Sequence, residues 1–258
     1  MKRAVLLVYA ACVVVAACGG PPAPYTPRDP ALRELPLYFY PSRDATRPAR
    51  AFIFFFGNDV GFWQPHRELC AGLADDGYAV TGMDVRKLIA SLPDHEPARD
   101  SAFAARIAPI IERSRRELKA DSLPVVLAGH SLGAEIAIWT ASHASISGLV
   151  GTLALSPGTR SHLRVTLADI ANTAEPTNAE SFAVADAIRA LPSRTRVAIV
   201  RGSHDKFRSA DSSLVAAGGA RATLYLVPLA GHSLRNIIVA RHVVRGALRW
   251  ILGERLGA

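Results

Sequence analysis

Apolar positions along the chain fall into two alternating patterns. The first is the short unbroken run. Ala51–Phe56 carries Phe52, Ile53, Phe54, Phe55 and Phe56 with no polar interruption, as expected of a strand covered on both faces. Tyr78–Met83, Val125–Ala128, Leu149–Leu155, Arg196–Arg201 and Thr223–Pro228 predict further strands, and Leu37–Tyr40 an edge strand. The second pattern is helical spacing. It predicts helices over Glu68–Ala74, Arg99–Lys119 (with Ala104, Ile107, Ile110 and Ile111), Gly133–Ala144 and, last, Ile237–Leu252. Strands alternating with helices imply an α/β fold, a mostly parallel central sheet with helices on both faces.

Thr159–Leu191 breaks this rhythm. Leu163, Val165 and Leu167 alternate like a half-exposed strand, and Asn172–Glu180 is polar and rich in turn formers. Two readings stand side by side, a small cap inserted over the site and a plain surface loop.

The start of the chain reads differently. Lys2 and Arg3 precede an apolar stretch from Ala4 to Ala17, too short and wrongly flanked for a membrane-spanning helix. Residues 1–17 therefore read as a secretory signal. Val15-Ala16-Ala17 followed by Cys18 resembles a bacterial lipobox, which would make Cys18 the lipidated first residue of the mature chain. Residues 18–36, opening with Gly19-Gly20-Pro21-Pro22-Ala23-Pro24, read as a tether. The globular domain then runs over 37–258, about 220 residues and ample for a sizeable core. The expected location is the bacterial cell envelope, on the membrane through Cys18.

Composition adds limits. Of three cysteines, Cys12 leaves with the signal and Cys18 would be acylated, so Cys70 has no partner for an internal disulfide. Its apolar surroundings, Leu69 and Leu73, suit a buried small hydrophobe. The formal charge of +8 falls to +6 without Lys2 and Arg3. Arg241, Arg245 and Arg249 recur every four residues on one helix face, with Arg235 before them. They read as a solvated face, or as one drawn to anionic lipid or substrate. No nucleic-acid motif is present, and the histidines show no metal-ligand spacing such as H-E-x-x-H, so neither a metal nor a cofactor is expected.

The chemistry centres on Gly129-His130-Ser131-Leu132-Gly133. This Gly-x-Ser-x-Gly sits between a strand and a helix, so Ser131 tops a sharp turn, a nucleophile's position. The glycines fit a turn whose neighbours press on the adjoining strand and helix, and the helix N-terminus aims its N–H groups at developing negative charge. A serine needs a base and a group to orient that base. Of eight histidines, His232 lies in Leu229-Ala230-Gly231-His232-Ser233, between the last strand and the last helix. His130 adjoins Ser131 and points sideways. Asp205 follows the strand Arg196–Arg201 in Gly202-Ser203-His204-Asp205, with Asp211 as a rival. The backbone N–H groups of Leu132 and of Asn58, in Gly57-Asn58-Asp59-Val60-Gly61, would form the oxyanion hole.

Over nearly all of Leu37–Leu256 the chain resembles an α/β-hydrolase, with the order Ser131, Asp205, His232. Within that superfamily it is similar to the bacterial VirJ/AcvB virulence-protein group. The shared features are the Gly57–Gly61 loop leading to Trp63, Gly77-Tyr78-Ala79-Val80 with Gly82 and Asp84, and the Leu163–Ile170 segment. His130 stands where that group more often has an aromatic residue, and Glu135 where it often has aspartate. The resemblance implies an exported protein that hydrolyses aminoacylated phosphatidylglycerol or supports secretion. The residues themselves predict a serine esterase or lipase acting on a lipid or small acyl ester. Phe62, Trp63 and Phe207 suit an acyl or aromatic group, or simple core packing. The alternative is the same fold used without turnover, as a binding or secretion-assisting lipoprotein.

Overall fold

The order of elements follows the alternation of runs and helical spacings. In the computed structural model, residues 25–91, 100–164, 167, 176, 181–233 and 241–254 are described. The expected signal and Cys18 lie outside these, as do Arg235, residues 237–240 of the expected last helix and residues 165, 166, 168–175 and 177–180 of Thr159–Leu191. The first elements are α1 (Pro30–Arg33), β1 (Leu37–Tyr40), β2 (Phe52–Phe56), α2 (Gln64–Asp75), β3 (Ala79–Met83) and α3 (Val85–Ala90). The centre comprises α4 (Asp100–Glu117), β4 (Val125–His130), α5 (Leu132–His143) and β5 (Leu149–Leu155). Then come β6 (Arg160–Ser161), β7 (Phe182–Ala183), α6 (Val184–Arg189), β8 (Arg196–Gly202), α7 (Asp211–Gly218), β9 (Ala222–Val227) and α8 (Arg241–Leu252).

Seven strands form one sheet in the order β1-β3-β2-β4-β5-β8-β9. Every neighbouring pair is parallel except β1 with β3, so Leu37–Tyr40 is an edge strand as its sequence predicts. Phe56 lies opposite Gly129, Gly129 opposite Ala154, Leu155 opposite Val200, and Gly202 opposite Val227. The loops after β2, β4, β5, β8 and β9 therefore emerge along one edge, where ligands bind in open α/β sheets.

Period-two alternation explains the unbroken apolar runs. Phe52, Phe54 and Phe56 enter a core with α4, α5, α6 and α7, while Ile53 and Phe55 enter the opposite core with α2 and α8. Val125 and Leu127 against Val126 and Ala128 repeat this on β4. Each strand must be apolar throughout because neither face meets water. Cys70 is fully buried in the second core, and burial pushes its thiol up.

Element ends differ from expectation for local reasons. Helix α2 starts a turn before Glu68, with Pro65 in its first turn, where a missing N–H costs nothing. Asp84 caps α3, accepting from the Lys87 N–H at 3.0 Å. In the 159–191 segment, Leu163 lies in a bend rather than a strand. The short ribbon pairs Arg160 with Ala183 and Ser161 with Phe182, so the segment leaves and returns at one place.

Residues 25–36, the end of the expected tether, make contacts with α4. Glu117, at the end of α4, accepts from the Tyr25 hydroxyl at 2.7 Å, the Arg28 N–H at 2.9 Å and the Asp29 N–H at 3.1 Å. Arg113 pairs with Asp29, and Leu32 is buried. This arm therefore lies against α4. On the arginine-rich helix α8, Arg245 forms a two-pronged ion pair with Asp76, so one cation of that row is spent on α2's C-cap.

Candidate active site

The turn after β4 builds the site from backbone geometry first. Ser131 holds φ 53°, a left-handed value that a serine adopts only under constraint from its surroundings. Its N–H donates to the Leu155 carbonyl at 2.8 Å, and its own carbonyl accepts from Ala134 at 2.8 Å. The flanking glycines are required by contact. A Cβ on Gly129 would lie 2.2 Å from the Gly133 carbonyl oxygen, and one on Gly133 would lie 2.1 Å from that of Gly57. The second contact presses the Gly57–Gly61 loop against the first turn of α5. Asn58 stands at the start of that loop, buried, its carbonyl accepting from the Gly61 N–H at 2.9 Å. The Leu132 N–H opens α5 with no partner among the described residues.

His232 reaches this turn from the loop after β9. Its Nε2 lies 3.0 Å from Ser131 Oγ, and its Nδ1 lies 3.2 Å from both carboxylate oxygens of Asp205. The three expected residues thus form one hydrogen-bonded relay, although 101 positions separate His232 from Ser131. Asp205 also accepts from the Phe207 N–H at 3.0 Å. Burial pushes its carboxyl up. The hydrogen bonds from His232 and Phe207 and the Arg201 charge outweigh that and hold it well below the usual carboxylate range. The rival Asp211 faces elsewhere.

Asp211 binds Arg201, which sequence reading did not single out. This guanidinium is completely buried, with Nε 2.8 Å from Asp211, Nη1 3.1 Å from Asp205 and Nη2 2.6 Å from the Pro157 carbonyl. One cation therefore sits between two buried carboxylates. Burial raises Asp211 above its ordinary value against the pull of Arg201. The signal was an arginine ending an otherwise apolar strand, four residues before an aspartate. Glu135, in the first turn of α5, likewise accepts from the Gly158 N–H at 2.6 Å and ties the loop after β5 to the nucleophile's helix.

Of the three rings expected near the site, one touches the relay. Phe207 packs edge-on against His232, with ring centroids 5.1 Å apart. Phe62 is buried and stacked on Tyr38 at 4.5 Å, so it is core. Trp63 caps α2 and meets His66 edge-on. Among the described residues no group of three His, Cys, Asp or Glu is arranged to hold a metal.

His66 and His130 are both buried. Burial, then the neighbouring His130, pushes His66 down to about 2, and burial pushes His130 down to about 4. An unfolded chain would protonate both near pH 6.5 while the folded protein would not. Stability should therefore be level above about pH 6.5 and fall as pH drops toward 4, by about 1.4 kcal/mol per pH unit for each histidine. Urea midpoints at pH 7, 6 and 5 check this. A midpoint constant from pH 7 to 5 would contradict it.

No family model matches the sequence, and no curated protein is significantly similar to it. Solved structures do match. A candidate dienelactone hydrolase from Klebsiella pneumoniae subsp. pneumoniae is 16% identical, with TM-score 0.60 over 85% of this chain and 91% of that one. The esterase domain of a Rhodothermus marinus protein is 13% identical, with TM-score 0.55 over 83% and 96%. MenH from S. aureus is 11% identical, with TM-score 0.58 over 83% and 98%. The chain has the α/β-hydrolase fold, with a mostly parallel seven-stranded sheet and helices on both faces.

Proposed function

We propose that this protein is a serine hydrolase that cleaves a carboxylic ester through an acyl-enzyme. The observation that carries the reading is the relay from Asp205 through His232 to Ser131 Oγ, set on a strained strand-to-helix turn. His232 Nε2 takes the Ser131 proton as Oγ attacks the ester carbonyl, and Asp205 holds the tautomer with Nδ1 protonated and steadies the imidazolium. The oxyanion rests on the N–H groups of Leu132 and Asn58. His232 then protonates the leaving alcohol, and water, activated by the same ring, releases the acid.

Fold neighbours described as an esterase domain and a dienelactone hydrolase support hydrolysis. Phe207 against His232 favours an acyl or aromatic group near the base. An aminoacyl-phospholipid substrate and a place among the VirJ/AcvB proteins rest on the sequence resemblance, and anchoring in a bacterial envelope rests on Cys18. Cys18→Ser should release the protein from the membrane fraction.

The deciding experiment is fluorophosphonate labelling of the mature protein beside Ser131→Ala and His232→Ala. Labelling of the parent, lost in both variants, is expected. A folded parent that takes no label would favour the non-catalytic lipoprotein.

A further inference from the structure

Two histidines outside the relay are joined to it. His130 ends β4 directly before Ser131, and its ring is buried with Nε2 3.0 Å from the main-chain carbonyl oxygen of His232. Its Nδ1 lies 3.3 Å from Nε2 of His66, which is fully buried on α2. The rings of His130 and His232 lie 5.6 Å apart, and the Ser131 hydroxyl is bonded to His232 Nε2. Phe55, Phe62 and Trp63 enclose the His66 ring.

The partners decide where the protons sit. A carbonyl oxygen only accepts, so Nε2 of His130 carries a hydrogen. Both rings are neutral in this apolar setting, which leaves Nδ1 of His130 with a lone pair. Nε2 of His66 must then carry a hydrogen and donate to it. Nδ1 of His66 makes no hydrogen bond of good geometry, and the Gly61 backbone beside the ring acts on it more weakly than burial and His130 do. Donation thus runs one way, from His66 to His130 to the His232 carbonyl.

The loop that carries His232 needs a hold on this side. Leu229 is exposed at φ 57°, a strained value for a leucine. The β8 side secures the loop at two earlier residues: the Leu229 N–H donates to Ser203 Oγ at 2.8 Å, and the Ala230 carbonyl accepts from the His204 N–H at 2.8 Å. The His130 bond acts on residue 232 itself and comes from the strand that carries the nucleophile.

We propose that His66 and His130 form a neutral donor–acceptor bridge that positions the base, clamping the His232 main chain to the end of β4 so that Nε2 stays in register with Ser131 Oγ. The proposal rests on the serine-hydrolase reading. Both are positioning residues, and neither takes part in proton transfer. A displacement of about 1 Å at a reacting pair can cost about 100-fold in rate.

The test compares His130→Phe, which keeps a ring but loses the donor, with His130→Gln, whose amide can donate to the same carbonyl. With p-nitrophenyl butyrate, His130→Phe should lower kcat about 10- to 100-fold with KM little changed. His130→Gln should recover most of that loss, a rescue that mere filling of space would not produce. Full kcat in His130→Phe, or a Gln variant no better than Phe, would overturn the clamp. A second measurement covers a variant that fails to fold. Long-range 1H–15N spectra of the parent at pH 7 should show both rings neutral with the hydrogen on Nε2, and a hydrogen on Nδ1 of His130 would overturn the bridge. A parent with neither esterase activity nor probe labelling would instead refute the hydrolase reading, and the ring spectra alone would then decide the bridge.

Discussion

Ser131→Ala is expected to lower kcat for ester hydrolysis by about 10⁵-fold while the protein keeps its fold and its substrate affinity. The loss is large because, in the proposed mechanism, Oγ forms the covalent bond and the rest of the relay has nothing else to activate. Asp205→Asn should cost somewhat less, about 10⁴-fold, because an amide donates where a carboxylate accepts and so favours the wrong imidazole tautomer. The alanine is nearly isosteric on a half-buried serine, so stability should change little. Stopped assays with a p-nitrophenyl ester, alongside thermal denaturation, separate the two effects. Ser131→Ala within tenfold of the parent would show that another group performs the attack.

Arg201→Met should produce the largest change in stability, a loss of about 3–5 kcal/mol. The guanidinium is fully buried between Asp205 and Asp211 and also supplies the Pro157 carbonyl. Removing it leaves two carboxyl groups close together in a poorly solvated site, and the methionine fills the volume without supplying a donor. The double change Arg201→Met with Asp211→Leu should regain part of the loss, since a buried ion pair replaced by apolar groups is often near neutral. Urea denaturation at pH 7 measures both. A single-variant loss below about 1 kcal/mol would mean that water or the backbone compensates for the missing cation.

Much of this arrangement was legible in the sequence because it depends on chain order. Strands that must be apolar on both sides stand out as Phe52–Phe56 does, and loops after parallel strands share one edge. Ser131, Asp205 and His232 therefore could be found by asking which polar residues follow strand ends. Asp205, just past the strand end after a glycine turn, was the better placed of the two aspartates that follow β8, with Asp211 as its rival. The fold separates them because Asp211 starts α7 and turns back to Arg201. His130 could be seen to point sideways, but its partner His66 lies 64 residues away on α2, and no local pattern links them. Residues 25–36 looked like tether because they lack apolar periodicity. Much of what holds them is polar, Glu117 gathering three donors and Arg113 pairing with Asp29, and bonding of that kind leaves no trace in a hydrophobic pattern.

Helix α5, which carries the first turn behind the nucleophile, is buried from Leu132 through Ala141, packed between the sheet and the helices α4 and α6. Its amides should exchange with solvent only when the whole domain opens, so the frame behind Ser131 is as durable as the fold itself. His232 rests instead on a loop held by a few hydrogen bonds, which turns through an exposed, left-handed leucine and can open at far lower cost. Mild stress should therefore disarm the protein by withdrawing His232 while the serine stays aimed, and activity should return on reclosure, without refolding.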